Sequence, residues 1–251
     1  MSGHSKWSTI KRKKGAEDAK RGKIFTRLAR DITIAVREGG GSDENSNPKL
    51  KIAIAKAKSN NMPKENIERA IQRAIGGADS ESVEEITYEG YGPDGVAFLV
   101  DVMTDNKNRS LAEVKRAFTR AGGSLASAGS VAWQFERKGY ITLKGDNLNF
   151  DEIFMVAAEA GADDVLDEDG IIAVYTPREL FAAVEQALTE AGYEIDESEL
   201  RWEAKNETEL ALEKALQNMR LQEQLEELDD VQAVASNLLI TDQLITALET
   251  A

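Results

Sequence analysis

"YITLKGDNLNFDEIFMVAAEAGADDVLDEDGIIAVYTPRELFAAVEQALTEAGYEIDESELRWE", residues 140–203, sets the fold class. Apolar positions there alternate with period 2 in some segments and recur near 3.6 in others, with Gly and Asp-rich breaks between them. The pattern predicts a strand over 140–144, a helix over about 151–160, strands over 163–167 and 171–175, a helix over 177–191 and a strand over 193–203. That βαββαβ order is ferredoxin-like, and it places the chain among α+β proteins.

Upstream, "EEITYEGYG" and "GVAFLVDVMT" are strand candidates around the "GPDG" turn at 92–95. "NRSLAEVKRAFTRAGG" predicts a helix with Leu111, Val114, Phe118 and Ala121 inward, and "SVAWQFERKG", 130–139, a return to strand. Downstream, a polar helix over about 207–227 precedes the strand "VQAVASNL" and a short tail. Leu210, Leu221, Leu225 and Leu228 have heptad-like spacing, but the run is too short for a coiled coil and predicts packing on the middle of the chain.

Before residue 78 the period is helical throughout. Residues 16–38 predict one helix, stopped by Gly39, Gly40 and Gly41. Ile24, Phe25, Leu28, Ala29, Ile32, Ala35 and Val36 share one face of it, and Lys20, Lys23, Arg27, Arg30 and Arg37 share another. Asn47 followed by Pro48 opens a second helix to about Ser59, with Leu50, Ala53, Ile54 and Ala57 inward. Pro63 opens a third, with Ile67, Ala70, Ile71, Ala74 and Ile75 inward. These three make a small bundle over 1–78, and "GGADSES", 76–82, reads as a linker.

Charge separates along the same boundary. Of 251 residues with a net charge of −14, residues 1–78 hold 18 Lys plus Arg and 8 acids, while the rest hold 13 and 37. Residues 6–30 alone carry ten cations against two acids. A basic module joined to acidic domains suits a polyanionic partner. The chain has no Cys and a single His, His4, which removes Ser-His-Asp, Cys-His and multi-histidine metal chemistry. No GxxxxGK or GxGxxG loop joins a strand to a helix, so the expectation is a non-enzymatic protein with no cofactor or small-molecule substrate. No window approaches the roughly 18 apolar residues of a membrane span, and no apolar run follows the basic N-terminus. A cytoplasmic protein that avoids membranes is expected.

Three blocks carry a resemblance: "GHSKWSTIKRKKGAEDAKRGKIFTRLAR" at 3–30, "YEGYGPDGVAFLVDVMTDNKNRS" at 88–110 and "AGGSLASAGSVAWQFERKG" at 121–139. Together and in this order they resemble the YebC family over the full length. The resemblance implies a helical N-terminal domain and two α+β domains, the third inserted into the second. In this numbering that is 1–78, then 79–137 with 205–251, and 138–204 inserted. It also implies control of gene expression: the family is described as transcriptional regulators that bind DNA, and mitochondrial and some bacterial relatives as ribosome-associated translation factors. DNA is therefore the first expected partner and ribosomal RNA the second.

The candidate contacts are Lys6, Trp7, Lys11, Arg12, Lys13, Lys14, Lys20, Arg21, Lys23, Arg27 and Arg30. Cations that neutralise phosphates release counterions and bind without regard to sequence. Residues 11–14 are contiguous and cannot share one helix face, which suits an arm that orders on its target. Trp7 either stacks on an exposed base or anchors the bundle. A second candidate is "TDNKNRS", 104–110, where Asn106 or Asn108 either caps the following helix or joins Arg109 in an anion site.

Overall fold

The computed structural model describes residues 18–44, 46–75, 84–145, 148–168 and 170–249. The linker expected at 76–82 lies outside them.

Helix α1 runs Asp18–Glu38, α2 Pro48–Ser59 and α3 Lys64–Ile75. Their shared core is Leu28, Ile32, Val36, Leu50, Ile54, Met62 and Ile67, with Phe25 and Ile71 half-buried at its edge. Asn47 joins the first two helices. Its Oδ1 accepts from the Leu50 N–H at 3.0 Å, capping α2, and its Nδ2 donates to the Ala35 and Gly41 carbonyls at 2.7 and 2.8 Å. A Cβ on Gly39 would lie 2.0 Å from that Oδ1, so the close approach requires glycine there. Ile75, expected inward, is 53% exposed. It is the last residue of α3, where the packing stripe has run past its neighbours.

Strands β1 (Glu84–Tyr91), β2 (Ala97–Thr104), β3 (Ser124–Ala126) and β8 (Val231–Ser236) form an antiparallel sheet in the order β3-β1-β2-β8. Helix α4 (Lys107–Arg120), helix α7 (Leu212–Glu226) and the C-terminal helix α8 (Asp242–Glu249) share a core with one face. Val131, Phe135 and Trp202 pack beside Ala97, Leu99 and Ala235 in a separate cluster. Strand β2 is buried along nearly its whole length, which explains its continuous apolar run. Leu221 and Leu225 of α7 are fully buried in this core, whereas Leu111 of α4, expected inward, is 38% exposed. Ser110 is buried instead, drawn in by a hydrogen bond from its Oγ to Asp230. The short tail expected after β8 contains helix α8, with Leu244 and Leu248 as its buried anchors.

The second sheet follows the order β5-β6-β4-β7, all antiparallel. It contains β4 (Phe135–Lys144), β5 (Asp164–Glu168), β6 (Ile171–Pro177) and β7 (Glu194–Ala204), with helices α5 (Phe150–Glu159) and α6 (Phe181–Glu190) sharing its core. Within the βαββαβ unit this is the 2-3-1-4 arrangement of a ferredoxin-like sheet. Strand β4 leaves beside β7, pairing Phe135 with Ala204 and Lys144 with Glu194. The strand expected from 130 differs: residues 132–134 are a 3-10 turn, and β4 then runs unbroken from Phe135. Val131 and Phe135 are buried while Trp133 is exposed, an alternation that a period-2 strand would not produce.

Candidate nucleic-acid interface

Lys6, Trp7, Lys11, Arg12, Lys13 and Lys14 lie outside the described residues. Lys20, Arg21 and Lys23 fall on the first turns of α1. The same helix carries Arg27 and Arg30, and these two guanidinium groups face the protein.

Arg27 Nη2 donates to the Glu226 carbonyl and, at 3.3 Å, to that of Leu228. The Glu226 carbonyl belongs to the last residue of α7, where free carbonyls and the helix dipole favour a cation, and Leu228 follows two residues on. Burial pulls the Arg27 pKa down, against the nearby charges of Glu226, Asp229 and Asp31. Arg30 Nη1 donates to the Asp229 carbonyl at 2.8 Å and lies 3.0 Å from Asp230 Oδ1. The face expected to present cations is therefore partly a docking face. Thr33 and Ile34 are buried as well, so α1 is enclosed over residues 32–36. Apolar periodicity could not reveal this, because the covering groups are polar and some 200 residues away in sequence.

Asp230 holds the junction together. Its carboxylate, 2% exposed, accepts from Ser110 Oγ at 2.6 Å, Arg109 Nη2 at 2.7 Å and Thr104 Oγ1 at 3.0 Å. Burial alone would raise its pKa, but these bonds and the Arg30 charge hold it below the usual carboxylate range. Nothing in "LDDVQ", residues 228–232, sets Asp230 apart from the other acids of the sequence.

The second candidate contact converges on the same carboxylate. Asn106 caps α4, its Oδ1 accepting from the Arg109 N–H at 3.1 Å. Arg109 Nη2 lies 2.7 Å from both Asp105 Oδ1 and Asp230 Oδ2, and its pKa is raised chiefly by those bonds. Asn108 is exposed. Asn106 and Arg109 are thus brought together, with the guanidinium neutralised by two acids.

A further ion pair, Lys56 Nζ to Glu199 Oε2 at 3.1 Å, ties α2 to β7. Between these contacts lies a cleft of about 450 Å³ lined by Arg27, Asp31, Lys56, Asp101, Arg137 and Trp202. Its charges are mixed, unlike those of a phosphate groove. Exposed cations on the helical unit include Arg37 on α1, Lys51 and Lys58 on α2, and Arg69 and Arg73 on α3. Among the described residues no group of three His, Asp or Glu gathers as metal ligands, and no helix is long and apolar enough to cross a membrane.

Residues 5–77 match the TACO1/YebC protein N-terminal domain, and residues 83–238 match the TACO1/YebC second and third domain. A "Probable transcriptional regulatory protein" of Francisella philomiragia is 51% identical over 249 residues, covering 99% of this chain and all of that protein. Its counterpart in Francisella tularensis subsp. novicida is 50% identical over 246 residues, covering 98% of each. Among solved structures, a conserved hypothetical protein from Aquifex aeolicus superposes with a TM-score of 0.83 at 41% identity, covering 90% of this chain and 93% of that one. With both family domains matched in order and the fold shared, this chain belongs to the TACO1/YebC family.

Proposed function

We propose that this protein is a non-enzymatic, DNA-binding regulator of transcription that grips phosphates through its basic N-terminal end. The observation that carries the reading is the charge segregation, 18 cations to 8 acids before residue 79 and 13 to 37 after it. The name the Francisella relatives bear, probable transcriptional regulatory protein, supports the level of control. Lys11, Arg12, Lys13, Lys14, Lys20 and Lys23 are the principal contacts, with Lys6, Trp7 and Arg21 beside them. Arg27 and Arg30 fasten the helical unit to the first sheet. The enclosure of α1 argues against that helix entering a major groove, so recognition rests on backbone phosphates more than on base edges.

The test is a salt titration of wild type and a Lys13→Ala, Lys14→Ala double variant on several DNA and RNA sequences and on ribosomes. Loss of two phosphate contacts lowers the log-log slope by roughly 1.8 on duplex DNA, at about 0.9 per contact, equally for every sequence. An unchanged slope refutes the phosphate role of these lysines. A loss seen only on ribosomes moves the target to ribosomal RNA.

A further inference from the structure

The block "AGGSLASAGSVAWQF", residues 121–135, is fifteen residues without a charge in a chain that is 30% charged. Its second half is built as a pedestal. Glu89 of β1, 6% exposed, accepts from the backbone N–H groups of Gly129, Val131 and Ala132 at 2.6, 2.7 and 2.9 Å. Tyr91 donates its hydroxyl to the Ser130 carbonyl at 3.0 Å. Val131 and Phe135 sink into the core on either side, 0% and 3% exposed. Between them the 3-10 turn holds Trp133 outward at 67% exposure.

The indole N–H is already satisfied by the Ser130 carbonyl at 3.0 Å, so what the side chain offers is its flat apolar face. Lys205 Nζ donates to the Trp133 carbonyl at 3.0 Å, placing a cation beside the turn. Because Glu89 fixes three amides of the turn, the exposed indole stands on a rigid support, which lessens the ordering cost when a flat partner stacks on it.

We propose that Trp133 is a stacking platform for an unpaired nucleobase. The proposal rests on the nucleic-acid reading above and gives it a second contact. Electrostatics favours this occupant at this place: the acidic remainder of residues 79–251 repels phosphates, whereas the neutral turn and Lys205 admit them. Aromatic stacking accepts any base, which adds affinity for single-stranded or looped segments without adding sequence preference.

The experiment measures binding of full-length wild type, Trp133→Ala and Trp133→Phe to a single-stranded oligonucleotide, an RNA hairpin loop and a duplex lacking unpaired bases. Thermal melting confirms that the variants are folded. Trp133→Ala weakens binding to the single strand and the loop by roughly 5- to 150-fold and leaves the duplex unchanged, while Trp133→Phe retains most of the affinity. Wild-type fluorescence is quenched by the single strand beyond the quenching seen in Trp133→Phe. Equal affinities of wild type and Trp133→Ala for the single strand overturn the proposal and leave the indole to a protein partner. An equal loss on the duplex overturns it too. If wild type binds none of the three, the nucleic-acid reading itself falls, and this inference with it.

Discussion

Asp230 shows how one residue sets the junction between elements. Four groups from three parts of the chain converge on it: Thr104 at the end of β2, Arg109 and Ser110 in the first turn of α4, and Arg30 on α1. Removing a buried carboxylate that pairs such groups costs about 3 kcal/mol, so Asp230→Ala lowers the denaturation midpoint clearly. Its native pKa is depressed, so the stability it contributes is present above the unfolded carboxylate value of about 3.9 and is lost as pH falls through the folded value. The gap between wild type and Asp230→Asn therefore narrows below about pH 4. A gap that stays constant to pH 2 would show that the carboxylate's charge is not what stabilises the junction.

At the scale of elements, β7 carries a buried pair on the sheet face that also bears Tyr140 and Tyr175. Arg201, 4% exposed, lies 3.3 Å over the Tyr140 ring, donates to the Tyr175 hydroxyl at 3.1 Å and pairs with Glu203. Arg201 Nη1 and Glu203 Oε2 find no hydrogen-bond partner, so the pair is a poor source of net stability. Arg201→Ala strands the Glu203 charge and costs about 3–5 kcal/mol, whereas Arg201→Met with Glu203→Leu restores most of the loss in urea unfolding. A double variant as unstable as the single one would mean that the ion pair is net stabilising. Strand β7 was legible because alternation and length mark it, and α2 because Asn47-Pro48 is a start signal the fold uses directly. The 3-10 turn at 132–134 was not legible. "SVAWQF" satisfies strand propensity, and the amide-binding carboxylate that overrides it sits on β1, forty residues away. The docking of Arg27 and Arg30 was hidden for the same reason: patterning reports apolar faces, and these partners are carbonyls and a carboxylate.

For the whole molecule, the helical unit has its own apolar core, and its polar ties to the sheets include Arg27, Arg30 and Lys56. Ion pairs at partly exposed positions weaken with salt, whereas the apolar core does not. The 1–78 segment should therefore keep its helices when excised. It will be less stable than in the full chain, because a shorter chain buries a smaller fraction of its surface and the fragment loses the ties that Arg27 and Arg30 make. Circular dichroism of the fragment shows a helical, cooperative melt at a reduced midpoint. Freed of the acidic remainder, with 18 cations against 8 acids, the fragment binds duplex DNA more tightly than the full chain at low salt. The added cations Arg27 and Arg30 also steepen its salt slope, by up to about 0.9 for each that reaches a phosphate. Single strands gain less than the duplex does if Trp133 stacks on bases, since the fragment lacks that residue. A fragment that melts without cooperativity would show that the helical unit needs the sheets to fold, and one that folds and binds nothing would place the nucleic-acid contact outside the basic end.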